Sequence, residues 1–309
     1  MGNPILRRKS PRVLTHLRND SDLGGLMFKN LGLALSAVSA VLICWLTGAF
    51  KCLAWLWLLP VGFLGSLLVL GVVFFLVLWL GCAFVDIEKP QEKDSKFHRF
   101  MVSYTAELVL SILRMRMHTR GLEQMPGDGR FMLVCNHIND LDPVVLLAYF
   151  KKKQLAFISK KENGSMFIVG KIMHKIQCQR INRENDREAL RTIINCIKLI
   201  QEDKASIGVF PEGYTSKDGL LHPFRGGVFK IAQKANVPIV VCTVQNTNKV
   251  FRNIKKLKRT DVHLHLVRVL QPEEVAGKTA VEVGELVHSM MAEDLGPDLV
   301  LKEIPNAEN

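Results

Sequence analysis

The pattern of apolar and polar positions divides this chain in two. Residues 31–50 carry no charge and residues 52–85 carry none, with Lys51 alone between them. A continuous helix over 31–85 would be about 80 Å long. A bilayer's hydrocarbon core is about 30 Å thick, so a single crossing does not accommodate the run. A lysine at mid-bilayer costs roughly 2.5–3.5 kcal/mol, which favours placing Lys51 near an interface. The pattern therefore predicts two hydrophobic helices, over 31–50 and 61–85, joined by a turn that includes Lys51, Trp55, Trp57 and Pro60. Tryptophans suit the headgroup belt, and proline suits a break. A pair that spans the bilayer and a pair that re-enters one leaflet both satisfy this pattern.

Downstream the pattern becomes that of a soluble fold. Residues 86–96 form a charged linker. Phe97, Met101, Tyr104, Leu108, Ile112 and Met115 then recur every three or four positions, predicting a helix with one apolar face. Arg114, Arg116, His118 and Arg120 fall at its end, and the helix either packs on the domain or lies on a membrane surface. Gly121 and the Pro126-Gly127-Asp128-Gly129 turn close this section. Strands are expected at 131–135, 155–159, 206–210, 237–244 and 262–270. Helices are expected at 143–150, 186–201, 226–235 and 280–295, the second with Leu190, Ile193, Ile194 and Ile197 on one face. Such alternation predicts an α/β fold, a mostly parallel sheet flanked by helices and preceded by an N-terminal two-helix membrane anchor. The expected organisation is a basic cytosolic segment over 1–30, the hydrophobic pair over 31–85, the linker over 86–96 and the α/β domain over 97–309.

Charge adds orientation. The chain holds 41 Lys+Arg against 29 Asp+Glu, a formal charge of +12. Arg7, Arg8, Lys9, Arg12, Arg18 and Lys29 precede the hydrophobic pair, and Lys89, Lys93, Lys96 and Arg99 follow it. The excess of basic residues on both flanks predicts that both, and the α/β domain with them, lie on the cytosolic face of a cell membrane. A secretory signal is the rival reading, but the segment is long for one and a second follows at once. No nucleic-acid motif accounts for the charge. Basic residues beside hydrophobic anchors suit anionic lipids, at roughly 1 kcal/mol per well-placed residue. The 7 cysteines are scattered, with no C-x-x-C pair, so neither a disulfide framework nor a zinc site is expected.

Candidate chemistry gathers at two predicted strand ends. Asn136-His137-Ile138-Asn139-Asp140-Leu141-Asp142-Pro143 follows the first strand, and Asp142-Pro143 resembles a helix cap with proline at the first helical position. His137 thus lies one tight loop from Asp142. A carboxylate bonded to one imidazole nitrogen fixes the tautomer and leaves the other nitrogen for a substrate. The structural alternative is a capped helix with an incidental histidine. The second stretch, Phe210-Pro211-Glu212-Gly213-Tyr214-Thr215-Ser216, offers backbone N–H groups, hydroxyls and a carboxylate suited to an anionic or polyol head group. Both stretches follow strands, and ligands of open α/β sheets gather at the strands' carboxyl ends. Arg183, flanked by Arg180 and Arg187, suits phosphate.

Two other pairings are open to the same residues. Cys135 and His137, two apart, would form a thiol-imidazole pair with a covalent intermediate if they shared a face. Asp261, His263 and His265 alternate along one strand and have metal-ligand chemistry, but nothing nearby completes a site, and no metal is expected.

Asn136-His137 with Asp142, then Arg183, then Phe210-Pro211-Glu212-Gly213 with Ser216, then Val237-Pro238-Ile239, resemble the four ordered blocks of the glycerolipid (lysophospholipid) acyltransferase family, closest to its 1-acyl-sn-glycerol-3-phosphate acyltransferase branch. The stretches 157–162 and 224–227 also resemble segments commonly found between those blocks. The resemblance covers roughly residues 95–270. It implies a membrane transferase of phospholipid biosynthesis in which His137 is the base and Asp142 orients it. The acceptor hydroxyl then attacks an acyl thioester directly. Lys160 or a backbone N–H would steady the oxyanion, while Arg183, Glu212, Gly213, Thr215 and Ser216 would hold the acceptor, the arginine on its phosphate. The implied partners are a lysophospholipid, an acyl thioester of coenzyme A or acyl carrier protein, and anionic membrane lipids. No bound cofactor and no nucleic acid are implied. The implied reaction converts 1-acylglycerol-3-phosphate to phosphatidate; glycerol-3-phosphate or a different lysolipid as acceptor, and a non-catalytic lipid-binding protein, are the alternatives. Asn139 stands where the family often has serine. Thr215 stands where it often has arginine, which removes a phosphate-facing charge that Lys217 or Arg225 would have to replace.

Overall fold

A computed structural model describes residues 20–89, 91, 93–182 and 185–301. Two long apolar helices lead, α1 (Asp20–Leu46) and α2 (Trp55–Ala83), followed by α3 (Lys96–Ile112). The α/β part then runs β1 (Met115–Arg120), β2 (Met132–Cys135), α4 (Asp142–Tyr149), β3 (Leu155–Lys160), α5 (Phe167–Lys175), β4 (Gln179–Ile181), α6 (Asp186–Gln201) and β5 (Ser206–Val209). It ends with α7 (Lys230–Ala235), β6 (Ile239–Gln245), α8 (Val250–Ile254), β7 (Thr260–Leu270), α9 (Pro272–Val275) and α10 (Ala280–Leu295).

The strands form one 7-stranded sheet in the order β1-β7-β6-β2-β5-β3-β4. Every neighbouring pair is parallel except β6 and β7. The central strands are apolar on both faces because helices cover both. Met132 and Val134 face α6, α7 and α10 through Ile193, Leu199, Ala232 and Val287. Leu133 and Cys135 face α3 and α4 through Leu110, Val145 and Leu146. The expected fold class is the observed one. On α6 the buried stripe is Ile193, Cys196, Leu199 and Ile200, whereas Leu190 and Ile194 are exposed. The inner face is therefore turned from the expected one by contact with α7 and the sheet.

Several boundaries differ from the expectations. The turn between the apolar helices comes earlier, because Gly48 takes a left-handed backbone (φ 68°) and stops α1. Pro60 lies inside α2 rather than in the turn, and Trp55 and Trp57 begin that helix. Pro60 there forgoes one backbone bond within the first two turns of α2. The helix expected through Met115 ends at Ile112. Arg114 has a positive φ of 55°, and Met115–Arg120 is an edge strand whose Met115 and Met117 pack inward. Its alternating methionines and basic residues have the two-residue period of a strand. Strand β4 and helix α5 were not expected from the pattern.

Helix α1 buries Ser36, Ala40 and Cys44, each one turn after the last. Small residues let helices approach closely, and at Gly62 of α2 a side chain would meet the Ala40 backbone at 3.3 Å. The remaining apolar side chains face outward, with Trp57 77% and Phe84 94% exposed. The stretches Met27–Leu46 and Trp55–Ala83 are both long and apolar enough to cross a membrane. The end of α2 is tied to the α/β part: His98 Nε2 lies 3.0 Å from the Gly81 carbonyl, and Lys171 donates to that of Ala83 at 3.2 Å.

Arg99 fixes the linker to the sheet. Its guanidinium meets Asp94 through two hydrogen bonds, 2.6 and 3.2 Å, and donates to the carbonyls of Leu155 and Ile176. Both side chains of the pair are almost wholly buried. Removing one partner of a buried pair strands the other charge. Arg99→Met should therefore lower stability by about 3–5 kcal/mol, read as a lower midpoint in denaturant or thermal melts of the detergent-solubilised protein.

Candidate active site

Three loops meet at the carboxyl ends of adjacent parallel strands. Strand β5 lies between β2 and β3, with Val134 opposite Val209 and Phe157 opposite Gly208. The loop after β2 therefore carries His137 to the side of residues 210–216, which follow β5, and Lys160 ends β3. Gly208 has no room for a side chain, since a Cβ would lie 2.5 Å from the Phe157 ring. Phe157 stacks on Phe210 at 5.7 Å, and Phe210 stacks on the His137 ring at 4.2 Å. One small residue in β5 thus admits the aromatic floor on which the imidazole rests.

The imidazole is held from both sides. His137 Nδ1 lies 3.0 Å from Asp142 Oδ2, and Nε2 lies 2.9 Å from the Thr215 hydroxyl. Asp142 is fully buried; the same Oδ2 accepts the backbone N–H groups of Ile138 and Asn139 at 2.7 and 2.8 Å, and Oδ1 accepts the Thr247 hydroxyl. A carboxylate accepts only, so His137 Nδ1 carries the proton and Nε2 presents its lone pair. Asn139 uses its Oδ1 to accept the Leu141 N–H at 3.1 Å and so closes the turn.

The second loop is built around Glu212, which is 1% exposed. Its Oε1 accepts the His137 backbone N–H at 2.8 Å and its Oε2 accepts that of His222 at 3.2 Å. Ser216 binds the other side of His137, its N–H and hydroxyl both donating to the His137 carbonyl at 2.8 and 3.0 Å. Gly213 has a φ of 83° and lies against the Arg225 side chain, where a Cβ would approach to 3.0 Å. A positive φ with that neighbour suits glycine. Burial pushes the Glu212 carboxyl up to about 7, against the lowering effect of its two backbone donors.

A cleft of about 710 Å³ opens over these loops. His137, Asp140, Lys160, Gly213, Tyr214 and Thr215 line its polar end, and an apolar arm runs between Leu78 of α2, Val102 and Val109 of α3, and Ile168 and Ile172 of α5. Asp142, Glu212 and Ser216 lie behind this wall, their polar atoms turned to the loop backbones and the imidazole. Arg183 falls outside the described residues.

The rival pairings do not assemble. Cys135 is fully buried in the core beside Cys242, and burial pushes its thiol well up, so it is not a thiolate partner for His137. Asp261 binds His118 at 2.9 Å while His265 turns to Asp294 at 3.3 Å, so the strand's acid and second histidine face different partners. Among the described residues no group of three or more His, Cys, Asp or Glu is placed to hold a metal.

Sequence reasoning gave no role to three groups. Thr247, from the β6–β7 connection, completes the shell of Asp142 but is 105 positions away. Asn136 bridges to β6, donating to the Val244 carbonyl at 2.9 Å and accepting its N–H at 2.8 Å. Tyr214, His222 and Asp218 form a second hydrogen-bonded set, with Tyr214 to His222 Nδ1 at 2.9 Å and His222 Nε2 to Asp218 at 2.9 Å. The four-residue spacing of Asp218 and His222 was the available signal for that set.

Because Glu212 binds a proton more tightly when folded, the native state keeps that proton between pH 4.5 and about 7 while the unfolded chain releases it. Its contribution to stability is therefore full below pH 4.5 and declines as pH rises toward 7. Glu212→Gln should flatten this part of the stability-pH profile. It also turns an amide donor toward a backbone donor, at a cost of about 1–3 kcal/mol. Thermal melts of both proteins between pH 4 and 8 check both effects.

Known proteins resemble this chain in sequence and in fold. A family model described as Acyltransferase matches residues 116–245. A chloroplastic 1-acyl-sn-glycerol-3-phosphate acyltransferase of Brassica napus is 33% identical over 156 residues, 50% of this chain and 44% of that protein. One of Arabidopsis thaliana is 31% identical over 183 residues, 59% of this chain and 50% of that protein. The chain thus spans about half the length of these curated relatives. The crystal structure of the 1-acyl-sn-glycerophosphate acyltransferase PlsC from Thermotoga maritima has the same fold, with a TM-score of 0.55 and 22% identity over 74% of this chain and 95% of that one. The strands and loops that assemble His137, Asp142 and the Glu212 turn thus lie within residues 116–245, the region that the Acyltransferase family model matches.

Proposed function

We propose that this chain is a membrane-bound O-acyltransferase that moves a fatty acyl group from an acyl thioester to the free hydroxyl of a lysophospholipid. The acceptor is 1-acylglycerol-3-phosphate, the product phosphatidate and the other product a free thiol. One observation carries this reading above the others: His137 directs Nε2 to the cleft while a fully buried Asp142 holds Nδ1. A lipid-binding protein needs a pocket but no such pair.

The chemistry follows from the tautomer. Nε2 takes the proton of the acceptor hydroxyl as its oxygen attacks the thioester carbonyl carbon. Asp142 stabilises the imidazolium so formed. The tetrahedral oxyanion is met by Lys160 or a backbone N–H, and one such donor is worth about 3 kcal/mol. Collapse breaks the carbon–sulfur bond, and the thiolate leaves with the proton from Nε2. Arg183 holds the acceptor phosphate, a role argued from the family blocks. Gly213 and Thr215 shape the cleft wall on the acceptor side, and Glu212 and Ser216 act from behind it. The apolar arm takes an acyl chain without exposing it to water, which costs about 0.8 kcal/mol for each CH₂ left exposed. Both apolar helices sit in the membrane, with the basic flanks and catalytic domain on the cytosolic face beside anionic lipids. The donor is a thioester of coenzyme A or of acyl carrier protein.

The test is incubation of the full chain in detergent or vesicles with a panel of lysolipids and labelled acyl thioesters, followed by mass analysis of the products. Phosphatidate from 1-acylglycerol-3-phosphate is the expected product. His137→Ala should lower its formation by about 10²–10⁴-fold with lysolipid binding retained; full activity in that variant would refute the enzyme reading. Asp142→Asn frees the ring to adopt the wrong tautomer, and should lower kcat by at least about 10²-fold.

A further inference from the structure

The nitrogen that would accept the substrate's proton is already occupied. His137 Nδ1 is committed to Asp142, so the Thr215 hydroxyl, 2.9 Å from Nε2, donates to the ring's single remaining lone pair. Threonine is a secondary alcohol, as is the free hydroxyl of a 1-acylated glycerol phosphate. We propose that Thr215 is an internal surrogate for the acceptor: its hydroxyl holds Nε2 until a lipid hydroxyl replaces it, and so keeps the base from water while a thioester waits in the cleft. This deepens the function proposed above and rests on it.

The surroundings suit an exchange of one hydroxyl for another. Ser216 pins the loop backbone to the His137 carbonyl through its N–H and its hydroxyl, and the Gly213 N–H is tied to the Phe210 carbonyl at 3.1 Å. The backbone at Thr215 therefore stays in place, and release of Nε2 needs only rotation about the Thr215 Cα–Cβ bond between staggered positions. Thr215 is half-buried in the cleft wall, so the space it leaves opens to the cleft. An unguarded general base serves water as well as a lipid alcohol, and attack by water on the thioester would give free fatty acid and thiol. A single neutral hydrogen bond held on Nε2 slows attack by water about three- to ten-fold while no acceptor is bound. Water cannot bring the apolar contacts and head-group binding with which a lysolipid offsets the loss of that bond. Thr215 is thus a positioning residue for the base and forms no covalent bond with the acyl group.

The experiment compares wild type with Thr215→Val, which keeps the shape without the hydroxyl, and Thr215→Ser, which keeps the hydroxyl. Each full-length protein is given labelled acyl-CoA in two incubations, one without acceptor, read as free fatty acid, and one with saturating 1-acylglycerol-3-phosphate, read as phosphatidate. Their ratio is independent of the folded fraction. It should rise about three- to ten-fold in Thr215→Val and stay near the wild-type value in Thr215→Ser. An unchanged ratio in Thr215→Val overturns the proposal. So does an acyl adduct on Thr215, found by intact-mass and peptide analysis of wild type incubated with thioester alone, since that makes the residue a nucleophile. Failure of wild type to acylate any acceptor would instead remove the proposed function, and this inference with it.

Discussion

The site depends on one buried carboxylate. Asp142 sits without solvent contact at the start of α4 and accepts from an imidazole nitrogen, two backbone N–H groups and a threonine hydroxyl. A buried charge persists only when its lone pairs are filled, and here each donor does structural work. The Ile138 and Asn139 N–H groups bend the loop back on the helix, His137 is aimed by its own Nδ1, and Thr247 brings the β6–β7 connection against the same group. The helix N-terminus adds its positive end. Loop shape, tautomer and ring direction therefore have a common cause.

Glu212 does for the backbone what Asp142 does for the side chain. Its two oxygens join the N–H groups of His137 and His222, so the loops after β2 and β5 cannot shift independently. Ser216 closes the other side by binding the His137 carbonyl. Turning these acids inward leaves Asp140 as the carboxylate on the cleft's polar face, beside Lys160, Tyr214, Thr215 and the imidazole. As buried acceptors, Glu212 and Asp142 add no further negative charge to that face.

The apolar helices bear on the same chemistry. Helix α2 ends against α3 and α5, and residues of all three line the arm that leads from the imidazole. Under the proposed function, a lipid chain moving between bilayer and cleft would remain among apolar side chains. Arg99 and Asp94 keep this junction in register with β3 and α5.

The sequence by itself determined the two uncharged segments, the alternation that makes a covered parallel sheet, and the His137 and Asp142 pair with its glutamate block. These are local: periodicity, a cap followed by proline, and a turn read off neighbouring residues. It misread Met115–Arg120 as a helix end because three basic residues obscured a two-residue period. It also put Pro60 in a turn, where Gly48 in fact ends the helix. Only the tertiary structure decided that β5 lies between β2 and β3, which brings residues more than 70 positions apart onto one imidazole. It likewise decided that Glu212 and Ser216 face the backbone, that Thr215 reaches Nε2, and that Thr247 completes Asp142. Strand order and side-chain direction arise from the packing of distant segments, and no pattern along a single stretch of chain contains them.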